Sequence, residues 1–415
     1  MRRPSANVVA VAVLVAVAAA VLLWQRPWAG QPAAAPAPVA VPADARAVLA
    51  DQLQALSDAD TEQAFVAAAG STARARTFAQ EAWDARRDLG VESVTLRYLS
   101  GGDVADRADG STLATVEVSW RAGADSPVAG TAVRSSRVGL RLDPQRDGTF
   151  AVRSATNVGQ DRLPLWLAGD VRVGEGPDDV RVVSVDGGVP DLDALAAATR
   201  ADRAVRATVA DADGRLTVVA PRSRATTAAL VGETQDEVAA IAGVTTTVDG
   251  TTGTARVIVL NPDLFADMDA RARQVVITHE AAHLLTGAVG TSMVTWVAEG
   301  FADYVALRRD DAPLAVSAGQ ALAQVRADGP PRTLPDADTF AAAGGHGLGA
   351  VYESAWLVFR MLAQERSNER IVAFYESVRD GADVEDAARR HLRLSVAQIT
   401  TQWRAYLEKS ASTVS

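Results

Sequence analysis

The 415-residue chain is predicted to be an α+β protein that begins with a transmembrane helix. A small helix-plus-antiparallel-sheet domain is expected next, then a second α+β unit with a mostly helical C-terminal lobe. Three observations predict this. Apolar residues recur at three- and four-residue spacing from Ala45 to about Ala82, then give way to strict alternation. Helical and strand-like stretches take turns between residues 191 and 285. From Val294 on, nearly every stretch has helical spacing. At roughly 100 to 200 residues per domain, the length leaves room for two or three domains.

The N-terminus, "MRRPSANVVAVAVLVAVAAAVLLWQRPW", carries Arg2 and Arg3, sixteen apolar residues from Val8 to Leu23, then Trp24 and Arg26. Signal-peptide apolar regions run to about 15 residues and spanning helices start near 17, so this segment lies at the border. The arginine bias orients it with its N-terminus inside, and no small-x-small cleavage site follows at once. Residues 1–28 are therefore expected to anchor the chain as a single-pass protein of the cell membrane, its other domains extracytoplasmic. If the segment is cleaved, those domains are secreted. Pro32, Pro36, Pro38 and Pro42 among alanines make 29–44 a semi-extended linker.

Residues 45–160 form the first domain in this reading. "ARAVLADQLQALSD", "DADTEQAFVAAAG" and "STARARTFAQEAWDARRDLG" have helical spacing. "VESVTLRYLS", "STLATVEVSWRAG", "TAVRSSRVGLRLDP" and "TFAVRSATNV" alternate, the last two joined by a turn at Asp147 and Gly148. Helices followed by an antiparallel sheet resemble, in pattern, the cone-shaped domains of the nuclear-transport-factor-2-like superfamily. Residues 161–188 read as connecting strands, "LPLWLAGDVRVG" and "DVRVVSVDG", ending at Gly187 and Gly188. Then come a helix ("DLDALAAATRADRAVRATV"), a strand ("RLTVVAPRS"), a helix ("TTAALVGETQDEVAAIAG"), a strand ("ARVIVLNPDLF") and a further helix, opening a domain over 189–415.

Composition removes several function classes. A net charge of −10, a pI near 5.0 and no block of basic residues argue against a nucleic-acid partner. The absence of cysteine excludes disulfides, thiolate nucleophiles and Cys-ligated zinc. Hydrophobic residues make up 48% but aromatics only 5%, so the cores are expected to be built from small aliphatics.

The chemistry concentrates in "VVITHEAAHLLTG". On a helix, His279 and His283 lie on one face with Cβ atoms about 5 to 6 Å apart, so both imidazoles can reach one metal ion. Glu280 is one step round, placed to touch a water without being a ligand. A catalytic zinc wants a third protein ligand and an open fourth position. "TSMVTWVAEGFADYVALRRD" offers Glu299 on a second helix, after a reversal marked by Gly287 and Gly290. Asp303 shares the face of Glu299, where it can accept the spare ring N–H of a ligating histidine. Trp296 is expected to pack between the two helices, Trp403 and Tyr406 within a terminal helical pair with starts at Asp383 and Ser395, and His391 to lie on the surface.

"HEAAH" followed by "WVAEGFADY" resembles the gluzincin metallopeptidases, most closely the minimal peptidase-MA-like families with a W-x-x-E-G segment after the zinc helix. Thr286 and Val289 stand where the glycine and third histidine of metzincins would be. The resemblance covers about residues 189–408, most specifically 275–305. It implies that His279, His283 and Glu299 bind Zn2+, that Glu280 is the general base and acid, and that Asp303 steadies a zinc histidine. It also implies a peptide or protein substrate, laid as an added strand along a sheet edge formed by "ARVIVLNP". The oxyanion donor is open between Tyr352, in "GAVYESAWLVFRML", and His346, in the glycine-rich loop "AAAGGHGLGA", itself a candidate lid. The competing expectation is an envelope scaffold that keeps the zinc site but is inactive or only binds peptides; Glu280, a base such a module does not need, separates the two. Hydrolysis of a non-peptide amide draws on the same residues.

Overall fold

Helix capping and side-chain alternation set most element boundaries in the computed structural model, which describes residues 43–101, 111–190, 192–248 and 255–413. The expected membrane segment, 1–28, and nearly all of the linker, 29–44, lie outside the described residues. Among the described residues no helix is long and apolar enough to cross a membrane.

Three helices open the fold: α1 (Ala43–Asp58), α2 (Glu62–Ala69) and α3 (Ala73–Asp88). Thr61 and Thr72 start α2 and α3 by accepting hydrogen bonds from Ala64 N and Ala75 N. An antiparallel meander follows in chain order: β1 (Val91–Gly101), β2 (Thr112–Ala122), β3 (Gly130–Pro144) and β4 (Phe150–Asn157). Its register sets Val118 opposite Leu96 on one side and Ser136 on the other. The predicted turn joins β3 to β4, with Gly148 at φ 83° and Thr149 N donating to Asp147 Oδ1. Gln52 on α1 ties the helices to the sheet, its Nε2 donating to Ala68 O and Phe150 O.

The second sheet has five strands: β5 (Val171–Glu175), β6 (Arg181–Val185), β7 (Thr217–Pro221), β8 (Gly243–Thr247) and β9 (Arg256–Leu260), in the order β5-β6-β7-β9-β8. The pairs β6/β7 and β7/β9 are parallel, while β5 and β8 flank them antiparallel. Four differences from the sequence reading stand out. Leu165–Leu167 forms a 3-10 turn rather than strand, so β5 starts only at Val171. The two stretches read as connecting strands supply β5 and β6 and thus belong to this sheet. The single helix expected over 226–243 stops early: α5 (Arg224–Val231) ends at Gly232, which is left-handed at φ +78°. A Cβ there would stand 2.4 Å from Gln160 O, so the chain turns away where only glycine fits. Most consequentially, β8 was not anticipated, and it takes the edge expected for "ARVIVLNP"; that segment, β9, is enclosed between β7 and β8.

Both faces of the sheet are covered, which accounts for its unbroken apolar runs. Val182, Val218, Ala220, Ile258 and Leu260 face a core shared with α4 (Ala194–Arg206), through Ala197, Ala201 and Val205, and with the helices that follow. Val183, Val185, Val219, Val244, Val257 and Val259 face the other way, into one continuous core with Leu49, Leu53, Phe65, Val116, Trp120 and Trp166. The N-terminal helices and meander therefore back the sheet directly.

Beyond β9 the chain is helical, as expected. It runs through α6 (Pro262–Asp267), α7 (Ala270–Leu285), α8 (Thr295–Leu307), α9 (Leu314–Ser317), α10 (Gly319–Asp328), α11 (Ala337–Ala342), α12 (Gly344–Leu362), α13 (Asn368–Arg379), α14 (Val384–Ala387) and α15 (Val396–Thr413). The glycine-rich stretch expected as a loop forms the first turns of α12. Gly300 lets α8 and α12 touch: a Cβ there would lie 2.6 Å from Ala355 O and 2.8 Å from the Phe359 ring. Trp296 packs on Phe359 and Phe374 at 5.9 and 6.0 Å, and Phe301 stacks on Tyr375 at 3.8 Å. Trp403 on α15 is buried and donates through Nε1 to Ser354 O.

Candidate metal centre

Helix α7 carries the first part of the site because both its ends are specified locally. Asp269 accepts from Ala272 N at the start, and Gly287 at φ +71° closes the other end. Its second half, Val275 to Leu285, is buried on every side, so His279 and Glu280 stand inside the protein rather than on a surface face. Gly290, at φ +85°, completes the reversal, and α8 returns alongside α7 as the glycines suggested.

The reversal brings the expected residues together. His279, Glu280, Glu299 and Asp303 are each no more than 1% exposed, and the His283 side chain is 11% exposed, so the cluster meets solvent at His283. His279 Nε2 and His283 Nε2 are 3.0 Å apart; Glu299 Oε2 is 3.2 Å from the first and 3.4 Å from the second. A tetrahedral ion about 2.0 to 2.1 Å from each donor requires donors roughly 3.3 Å apart, so this triangle has the size for one. Glu299 Oε2 is buried against the two imidazole Nε2 atoms without a well-formed hydrogen bond to either, so a shared cation would satisfy all three atoms. His279, His283 and Glu299 thus form a buried cluster able to hold a metal ion.

Neighbouring groups tune the cluster. His279 Nδ1 donates to Asp303 Oδ1 at 2.8 Å, which fixes the ring with Nε2 turned toward His283 and Glu299. Burial opposes a charge on His279, yet the carboxylates of Asp303 and Glu299 hold the imidazole up to about 10. An ion would take the place of that proton. Burial raises the Glu299 carboxyl, but the two imidazoles outweigh it and hold Glu299 well below the usual range. For Glu280 and Asp303 burial wins and both are pushed up.

The oxyanion candidates fare differently. Tyr352 is fully buried on α12, its ring centroid 6.4 Å from that of His279 and edge-on to Phe340 at 4.9 Å. Burial and the carboxylates of Glu299, Asp303 and Glu280 push its hydroxyl well above 10, so it keeps its proton and remains a donor. His346 falls in the first turn of α12, where side chains lie outside the described part of the structure. His391 sits in a short π-turn, Ala388–Leu392, remote in sequence from the cluster.

Three residues escaped the sequence reading. Thr245 on β8 hydrogen-bonds Glu280, with Oγ1 2.7 Å from Oε2 and 2.9 Å from the backbone oxygen. Gly243, on the same strand face, leaves room for this approach, since a Cβ there would stand 3.3 Å from Glu280 Cγ. Glu353, next to Tyr352, is buried and accepts from Ala321 N at 2.7 Å, capping the uncapped start of α10 from another helix. Burial raises its carboxyl to about 8. No signal in "GVTTT" marks Thr245, and a glutamate inside "VYESAWLV" gives no sign that its partner is a helix end. No protein-family model matches this sequence, and no curated protein matches it.

Proposed function

We propose that the chain is a zinc-dependent peptidase of gluzincin type, anchored in the membrane by residues 1–28 with its folded part extracytoplasmic. The observation that carries this reading is Glu280: a buried carboxyl directly beside the three-donor cluster, one oxygen held by Thr245 and the other, Oε1, without a hydrogen-bond partner. A site that only stores a metal has no use for such a group.

His279, His283 and Glu299 hold the zinc, which when bound supplies Lewis acidity toward water and a carbonyl oxygen near neutral pH. Glu280 Oε1 takes a proton from the attacking water and later returns it to the leaving nitrogen. Asp303 keeps the His279 ring in one tautomer. Tyr352 is the oxyanion donor favoured by position, since its ring neighbours His279. The substrate strand pairs with the outer edge of β8 rather than with β9, beside Thr247 O, which accepts from Arg162.

The test is cleavage of a quenched-fluorescent peptide library by the wild-type chain and by Glu280→Gln. Peptide cleavage by the wild type and a loss of about 10²- to 10⁴-fold in the variant is the expected outcome. Equal cleavage by both removes Glu280 as base. Failure of the wild type on every peptide, with turnover of simple amides, moves the substrate class to non-peptide amides.

A further inference from the structure

The edge strand β8 packs against the catalytic half of α7 through one strand face. Alternation along β8 turns Val244 into the core behind the sheet, so Gly243, Thr245 and Thr247 face α7. Gly243 permits the close approach, and Thr245 meets Glu280 twice, at Oε2 and at the backbone oxygen. A threonine hydroxyl has one proton, and Oε2, the nearer acceptor at 2.7 Å against 2.9 Å for the backbone oxygen, is where it donates. Oε2 is then occupied and Oε1 is left as the oxygen without a partner.

We propose that Thr245 is a positioning residue for Glu280: by holding Oε2 it fixes the carboxyl rotamer and leaves Oε1 as the oxygen that exchanges protons with the substrate. This rests on the reading of Glu280 as the base. Thr245 is half-buried on a strand edge, and valine has the same shape and strand preference, so Thr245→Val removes the hydroxyl with little disturbance of the fold. The hydroxyl does not contact the metal donors, so zinc binding does not depend on it.

The experiment compares the full-length wild type, Thr245→Val, Thr245→Ser and Glu280→Gln in zinc titration, in cleavage of the fluorescent peptide library, and in crystal structures. Thr245→Val is expected to bind zinc as tightly as the wild type, to lose about 10- to 100-fold in kcat with KM nearly unchanged, and to show Glu280 turned away from its wild-type position. Thr245→Ser, which restores the hydroxyl, is expected to recover most of kcat and the wild-type Glu280 rotamer. Full kcat in Thr245→Val while Glu280→Gln is inactive overturns the positioning role and leaves the base intact. Activity in Glu280→Gln overturns the base instead. If no peptide is cleaved, the crystal structures decide: Glu280 unmoved in Thr245→Val overturns the proposal, and Glu280 displaced there but restored in Thr245→Ser supports it.

Discussion

Asp303 shows how much one buried side chain does at the site. Its contact with His279 Nδ1 at 2.8 Å sets the direction of Nε2, and without it the ring is free to turn or to change tautomer. Asp303→Asn is expected to weaken zinc binding by about 10- to 100-fold without unfolding the chain, measured by competition with a chromophoric chelator. Glu353 acts on stability. Its carboxyl, at about 8 when folded against 4.5 in the unfolded chain, stays neutral inside the protein while the unfolded form ionises. Its contribution is therefore most favourable below pH 4.5 and is lost as pH rises from there through about 8, at up to about 1.4 kcal/mol per pH unit. Glu353→Gln keeps an acceptor for Ala321 N and removes the titration. The variant is expected to match the wild type in urea unfolding near pH 4.5 and to exceed it by a few kcal/mol near pH 8.5.

At the level of elements, the site depends on two close approaches, α8 against α12 and β8 against α7. Gly300→Ala places a methyl group into Ala355 O and the Phe359 ring, so α8 must shift, and Glu299 and Asp303 shift with it. The expected result is a loss of about 1 to 3 kcal/mol or more in urea unfolding, together with weaker zinc binding; unchanged values for both would show that α8 has slack. The sequence revealed α7 and α8 well because their signals are local: a spacing of four on each helix and two glycines at the reversal, both of which take positive φ. It did not reveal β8. "GVTTT" lacks an apolar alternation of its own, and its place at the sheet edge is fixed by pairing with β9 and by the contact with Glu280, neither of which is local. The glycines at the start of α12 misled in the opposite direction: they read as a loop, yet the stretch is helical.

Across the whole molecule, the five-stranded sheet is the shared wall between two cores, with the metal cluster on one side and the N-terminal helices and meander on the other. The change of periodicity, helices then alternating strands, corresponds to the N-terminal helices and meander, while the five-stranded sheet draws strands from both sides of Gly187 and Gly188. Strand order and face are long-range properties, and the valines of β6, β7 and β9 look alike whichever core they enter. Because Val183, Val219 and Val259 rest on the N-terminal unit, a chain lacking residues 43–160 is expected to expose that face and to aggregate rather than fold. The intact chain is expected to unfold in one calorimetric transition; two well-separated transitions would show that the units are independent. The proposed chemistry depends on His279, His283 and Glu299 acting as one metal centre. Its most direct test is the zinc content of the purified full-length chain beside Glu299→Ala, measured by atomic emission. One zinc per wild-type chain, lost or greatly weakened in a folded Glu299→Ala variant, is the result expected here; a wild type that binds no zinc, or a variant that holds it equally well, would contradict it.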